Sequence, residues 1–258
     1  MARIIAHLTD LTGADRPAFV HAAALAAVGG ARLVTVHGNA AAEDGGVLPE
    51  AAPLAERWRR PIEHWRFCQP ADEGVTSTLR DAVRAIGPDL VVTGTHARAG
   101  LDALFDDSVA EALARTLAVP TLVVPNDGRG FVDEAAGVID LRRLLVPAAD
   151  ACTAVRGIAA ARALLALSAI EGGEIIVLTV GPHALDVPLA GDVRSVRADG
   201  AVDEAILTAA REHEACAIVM PTAHTADELD MFVGSHTEHV IRRARRPVLT
   251  VPRPPRAA

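Results

Sequence analysis

Apolar positions along the chain fall into short unbroken runs, separated by alanine-rich stretches and glycine breaks, and the same order is met twice. Arg3-Ile4-Ile5-Ala6 and Arg143-Leu144-Leu145-Val146 are short, apolar and rich in branched residues, so each reads as a buried strand. Each leads into an alanine-rich segment (Ala18 to Val28; Val155 to Ile170), a Gly-Gly break and a second apolar run (Arg32 to His37; Glu174 to Val180). Strand, helix, glycine stop and strand predict a βαβ unit in a parallel sheet. The pattern predicts first-half strands near 3–9, 32–37, 64–68, 89–93 and 121–124, with helices near 14–28, 50–60, 75–86 and 107–117. Second-half strands are expected near 143–148, 175–180, 193–197, 216–220 and 248–251, with helices near 153–170, 201–213 and 234–245. Gly181 to Asp192 is short and proline-broken, so one helix of the second half is missing or shrunken.

The back of each half repeats without a gap. Pro88 to Pro125 lies over Ala215 to Pro252, so that Thr95 meets Thr222, Phe105 meets Phe232 and Ser108 meets Ser235. Glu111 meets Glu238, Arg115 meets Arg242, and Pro120 and Pro125 meet Pro247 and Pro252. At the front, Arg3 is placed over Arg143, which puts Asp10 over Asp150. A repeat this long is one fold used twice rather than a solenoid. The expected domains are 1–126 and 142–258, joined by a glycine-bearing linker over 127–141, whose Phe131, Val132, Val138 and Ile139 can pack back onto the domains. Five strands alternating with helices give a doubly wound α/β sheet, with ligands beyond the carboxyl ends of the strands at the switch in strand order.

Composition narrows the classes. Half of the 258 residues are apolar, enough for each half to bury a core. Cys68, Cys152 and Cys216 are an odd, widely spaced set with no CxxC, which argues against a disulfide framework or a structural zinc knuckle and reads as buried free thiols. Met1-Ala2-Arg3 runs straight into a strand, and no apolar run reaches the roughly twenty residues that span a bilayer, so a cytoplasmic protein away from membranes is expected. A net charge of −8 and no tyrosine argue against a nucleic-acid partner.

The fourth strand runs into Gly94-Thr95-His96-Ala97, and Asp107-Ser108 then opens a helix. Thr9-Asp10-Leu11-Thr12 follows the first strand, and the halves close on Val119-Pro120-Thr121-Leu122-Val123-Val124-Pro125 and Arg246-Pro247-Val248-Leu249-Thr250-Val251-Pro252. In order and spacing these segments resemble the universal stress protein family, whose nucleotide-binding members carry G-x2-G-x9-G-[ST] at the loop and T-D-x-[ST] after strand one. The resemblance implies two flavodoxin-like or Rossmann-like doubly wound parallel sheets of five strands, packed as an intrachain pseudo-dimer through Thr121–Val124 and Val248–Val251. Association of chains into a homodimer is left open.

Glycines let a backbone approach phosphates closely, and a helix start offers free N–H groups and a positive dipole end. Neither copy keeps the full motif. Copy one has Gly94 and Ser108, with Ala97 and Asp107 for the other glycines. A carboxylate there caps the helix by itself, and at an effective dielectric of about 20 it repels a phosphate charge by roughly 4 kcal/mol, close to a thousandfold in affinity. Copy two has Gly234-Ser235, with Pro221 and His224 for the others; losing one N–H is the smaller defect, and His224 can donate to an anion. The nucleotide or anion candidates are therefore Asp10, Val36, Gly94, Ser108, Asp150, Val180, His224, Gly234 and Ser235, better retained in domain 2. The alternative reading of Gly234-Ser235 is a plain helix start.

His224, His236 and His239 form a second, looser constellation, since His236 and His239 share a helical face and three imidazoles could hold zinc or another transition metal. Exposed helix-start histidines are its bland reading. There is no GxSxG, HExxH, Walker loop or Rossmann GxGxxG. Asp203 and Glu204 read as capping acids, and Arg242, Arg243, Arg245 and Arg246 as solvated helix-end charge. The expected function is a non-enzymatic, ligand-responsive stress protein that needs no cofactor and binds ATP or another adenine nucleotide weakly. Its rivals are a ligand-free scaffold and a slow ATP hydrolase.

Overall fold

The computed structural model describes residues 3–9, 15–37, 49–68, 75–95, 117–182, 185, 191–222 and 234–253. The first half contains strands β1 (Ile4–Thr9), β2 (Arg32–His37), β3 (His64–Cys68), β4 (Leu90–Thr95) and β5 (Thr121–Pro125), with helices α1 (Arg16–Gly29), α2 (Ala52–Trp58) and α3 (Val75–Ile86). A short hairpin, β6 (Val132–Asp133) and β7 (Val138–Ile139), leads into β8 (Arg143–Pro147), α4 (Ala151–Leu167), β9 (Glu174–Val180), β10 (Val193–Ala198), α5 (Val202–Glu212), β11 (Ala217–Pro221), α6 (Gly234–Arg243) and β12 (Val248–Val251). The expected helix near 107–117 falls almost wholly outside the described residues. Between β9 and β10 no helix occurs among the described residues.

Local chemistry sets the helix ends. Pro17 pre-sets the first turn of α1, and Gly30 closes it in the left-handed conformation at φ 61°. Asp150 starts α4 with a reciprocal capping box, its carboxylate accepting the Thr153 N–H at 2.7 Å while Thr153 Oγ1 accepts the Asp150 N–H. That cap opens the helix slightly ahead of its expected start.

All ten long strands join one sheet in the order β10-β9-β8-β11-β12-β5-β4-β1-β2-β3. Neighbours are parallel except at the centre, where β12 meets β5 antiparallel, as the closing strands were expected to do. Within each half the order is third, second, first, fourth, fifth, so the switch point lies between the first and fourth strands. At the seam Leu122 pairs with Leu249, its own counterpart in the repeat, while Thr121 pairs with Thr250 and Val123 with Val248. A pseudo-twofold axis therefore passes between Leu122 and Leu249.

The pairing corrects the register at the front of the repeat. Ile5 pairs with Leu90 on β4, and Leu144 pairs with Ala217 on β11. Leu90 and Ala217 are equivalent, so Ile5 matches Leu144 and not Leu145. Asp10 then falls opposite Ala149, and the matched aspartates at 10 and 150 are a coincidence of sequence.

One core runs through both halves on the face covered by α1, α2, α4 and the hairpin. There α1 meets α4 so closely that a Cβ on Gly29 would collide with Leu167. The opposite face carries two separate clusters, one under α3 (Leu79, Val83 with Leu8 and Val36) and one under α5 and α6 (Ile206, Val240 with Leu145 and Ile176). The linker packs back as expected at Phe131 and Ile139, which are buried, whereas Val138 is 57% exposed. The Trp58 indole N–H donates to the Glu134 carbonyl at 2.9 Å, Arg16 pairs with Glu134, and Gly137 turns at φ 65° against the Trp58 ring. Gly137 is needed twice, for its positive φ and for the missing Cβ.

Two expectations fail. The thiols are free, but Cys68 and Cys152 are exposed and Cys216 is half-buried, because they sit on the edge strand β3, the outer first turn of α4 and the edge of β11. The arginines after α6 are not merely solvated: Arg243 pairs with Glu204, Arg245 with Asp127, and Arg246 donates to the Ala215 carbonyl.

Candidate functional site

The carboxyl edge of the sheet is built differently in the two halves. In the first, Gly94 near the end of β4 faces α1. Asp15, the N-cap residue of α1, makes no side-chain bond to the helix's first turn. It turns inward instead, 6% exposed, with Oδ2 lying 3.6 Å from His7 Nε2. A Cβ on Gly94 would stand 3.0 Å from Asn126 Oδ1 and closer still to Asp15 Oδ1. The glycine thus makes room for the chain's own carboxylate. His7 is fully buried, edge-on to Phe19 at 5.3 Å, and His37 is held by a bond from its Nδ1 to the Thr9 carbonyl at 3.0 Å. At Gly94 this edge presents an acid, where a phosphate would need space and positive charge.

In the second half a cation takes the comparable place. Pro221 closes β11 against Gly157 of α4, whose missing Cβ leaves room for Val146 and the proline ring. About one turn earlier lies Thr153, and about two turns earlier Asp150; one residue before Gly157 lies Arg156. Its Nη2 donates to the Thr222 carbonyl at 2.8 Å, while Nη1 is buried with no hydrogen-bond partner among the described residues. The Thr179 hydroxyl, near the end of β9, is likewise buried without a partner. Beyond Thr222 the chain returns at Gly234, the first residue of α6.

A family model described as the universal stress protein family matches residues 1–125 and 185–252, most of the chain. The chain belongs to the universal stress protein family. Similar solved structures include a universal stress protein from Archaeoglobus fulgidus, 18% identical with a TM-score of 0.64, covering 97% of this chain and 98% of that one. A putative universal stress protein from Pseudomonas aeruginosa is 15% identical with a TM-score of 0.67, covering 98% and 94%. A functionally unknown protein from the same organism is 15% identical with a TM-score of 0.63, covering 98% and 93%. No curated protein sequence matches significantly. At these identities the structures establish a shared fold, and family membership supports a stress-response role. The family match omits 126–184, which holds the hairpin, β8, α4 and β9. Among the described residues no helix is long and apolar enough to cross a membrane.

Against the universal stress protein frame, the described candidates stand near the carboxyl ends of their strands or at helix starts. Asp10, Ser108 and His224 lie outside the described residues. Val36 is buried in β2 against the α3 core, and its backbone is laddered on both sides, to Leu8 and Phe67. Val180 ends β9 and packs on the α5 core. The Asp150 carboxylate is committed to its cap; the Thr153 hydroxyl and N–H hold its pKa below the usual carboxylate value. Gly234 and Ser235 open α6, as expected.

The metal constellation falls partly outside the described residues, since His224 does. His239 Nδ1 is bonded to Asp203 Oδ2 at 3.0 Å, tying α6 to the start of α5, and no metal-competent group of three or more side chains occurs among the described residues. His236 is exposed. What the sequence reading missed is the polar interior: His7, Asp15, Asn126 and Arg156. The available signals were a histidine inside an apolar strand and an arginine inside an alanine-rich helix.

Proposed function

We propose that this is a non-enzymatic, ligand-responsive stress protein whose surviving site, at the carboxyl edge of domain 2, takes a small anion or an adenine nucleotide weakly. Arg156 carries the reading. A guanidinium with one buried, uncommitted nitrogen beside the end of β11 suits a phosphate, whereas Asp15 over Gly94 does not. The residues therefore fit a nucleotide phosphate in domain 2 and do not fit one in domain 1. Within domain 2, Arg156 would hold the phosphate opposite the helix start at Gly234-Ser235, whose N–H groups and dipole favour the same charge.

Isothermal titration with ATP, AMP and cyclic AMP tests this reading. Wild type and Asp15→Ala are expected to bind alike, while Arg156→Ala and Ser235→Ala lose the heat. No heat from wild type at millimolar nucleotide sinks the reading and leaves a scaffold without a ligand. Loss of ATP turnover in Ser235→Ala or His224→Ala, against a wild type that turns ATP over, would replace it with the slow hydrolase.

A further inference from the structure

The linker hairpin and domain 2 line a half-open cavity of about 800 Å3 at the amino-terminal ends of β8, β9 and β11, the edge opposite the site described above. Small-molecule sites run roughly from 300 to 1,000 Å3. Phe131, Val138, Ile139 and Ile170 give it an apolar wall, and Val138 is among the most exposed large apolar side chains described. Arg129 and Arg246 line the same space.

The backbone forces those two arginines together. The Arg129 N–H donates to the Arg245 carbonyl at 2.9 Å, and Arg245 reaches back to Asp127 at 3.4 Å, so the linker is clamped to the loop before β12. Arg246 is half-buried and anchored by Nη1 on the Ala215 carbonyl. Its burial, and then the charge of Arg129, lower its hold on a proton. The Arg129 guanidinium has no bond to any described residue.

The acids of the cavity other than Glu171 are bonded elsewhere, and Glu214 offsets the charge on Arg246 less than burial and Arg129 oppose it. Asp140 is paired with Arg142 at 2.8 Å and Glu214 with Arg143 at 2.6 Å. Asp133 accepts the Ala135 N–H at 2.9 Å, and Glu171 stands on the exposed turn after α4. Arg129 and Arg246 line one cavity and repel each other, a repulsion that Glu214 offsets only in part, and a shared oxyanion removes that cost. Their planar donor forks match a carboxylate or a phosphate.

The geometry points to a ligand site in this cavity for a small organic anion, its carboxylate or phosphate bridging Arg129 and Arg246 and its carbon skeleton lying on Phe131, Val138 and Ile170. The site stands apart from the nucleotide reading, since no residue is common to the two. Its occupant holds the hairpin to domain 2 across the linker.

Calorimetric titration of the full chain with phenyl phosphate, 3-phenylpropionate and inorganic phosphate tests it, the first two arms separating the headgroups and the third removing the skeleton. At least one aromatic anion is expected to bind at millimolar concentration or below, about tenfold more tightly than inorganic phosphate. Arg129→Ala, at an exposed side chain, weakens that binding about tenfold, and Arg156→Ala leaves it unchanged. Absence of heat from both aromatic anions overturns the proposal. So does binding that survives Arg129→Ala and disappears in Arg156→Ala, which would assign the anion to the carboxyl-edge site.

Discussion

His21 makes the docking of the linker hairpin sensitive to acid. Its ring is 3% exposed; Nδ1–H donates to the Pro17 carbonyl at 2.7 Å, and Nε2 accepts the Phe131 N–H at 3.0 Å. The pair of bonds requires the neutral ring, because an imidazolium still donates to Pro17 but has no acceptor for Phe131. Burial pushes the His21 pKa from 6.5 down to about 4, against the upward pull of the Pro17 carbonyl. A group whose folded pKa is depressed stabilises the fold above its unfolded pKa, and that stability drains away as pH falls toward the folded one. The window is therefore 6.5 down to about 4. Crossing all of it removes about 3 kcal/mol, and stopping near pH 5 removes about 2 kcal/mol.

Urea unfolding at about pH 7.5 and about pH 5 measures this loss. Trp58 fluorescence reports it in a Trp65→Phe background, because the Trp58 indole N–H is bonded to Glu134 of the same hairpin. His21→Gln keeps an acceptor for Phe131 and cannot titrate. Wild type is expected to lose about 2 kcal/mol more than this variant over the interval. His64, also depressed to about 4, is present in both proteins and cancels. Parallel profiles would refute the assignment.

Two further outcomes follow from packing. Gly94→Ala drives a methyl group into Asp15 and Asn126, and thermal unfolding should show a loss of about 1–3 kcal/mol, most of it recovered in Asp15→Ala/Gly94→Ala; no recovery means that Asp15 does not fill the space. Leu122→Ala empties the axis of the sheet at a cost of about 2–5 kcal/mol. Because one core serves both halves, calorimetry should still record a single transition, and two separated transitions would contradict the shared core.

The strands were legible because parallel strands buried on both faces read as continuous apolar runs, and the pairing of 121–124 with 248–251 followed from the repeat. The front register was not. Two short apolar runs slide by one residue with little change in pattern, and the arginines at 3 and 143 favoured the wrong match; only the pairing of Ile5 with Leu90 and of Leu144 with Ala217 resolves it. The site was half legible. Motif gaps raised the expectation that copy one is degenerate, but Asp15 precedes its helix unremarkably in sequence and shows its place only once folding brings it over Gly94. Arg156 was hidden in the same way, an ordinary helix residue until α4 docks beside β11.

The pairing of Leu122 with Leu249 has a consequence for how this protein can change and respond. In two identical chains joined on such an axis, every substitution is made in both pockets at once. Here a single substitution touches one half, so an acid can stand at one edge and an arginine at the other. The covalent link also removes concentration from the equilibrium between the halves. Dilution cannot part them, and the geometry between the two halves is a property of the single chain.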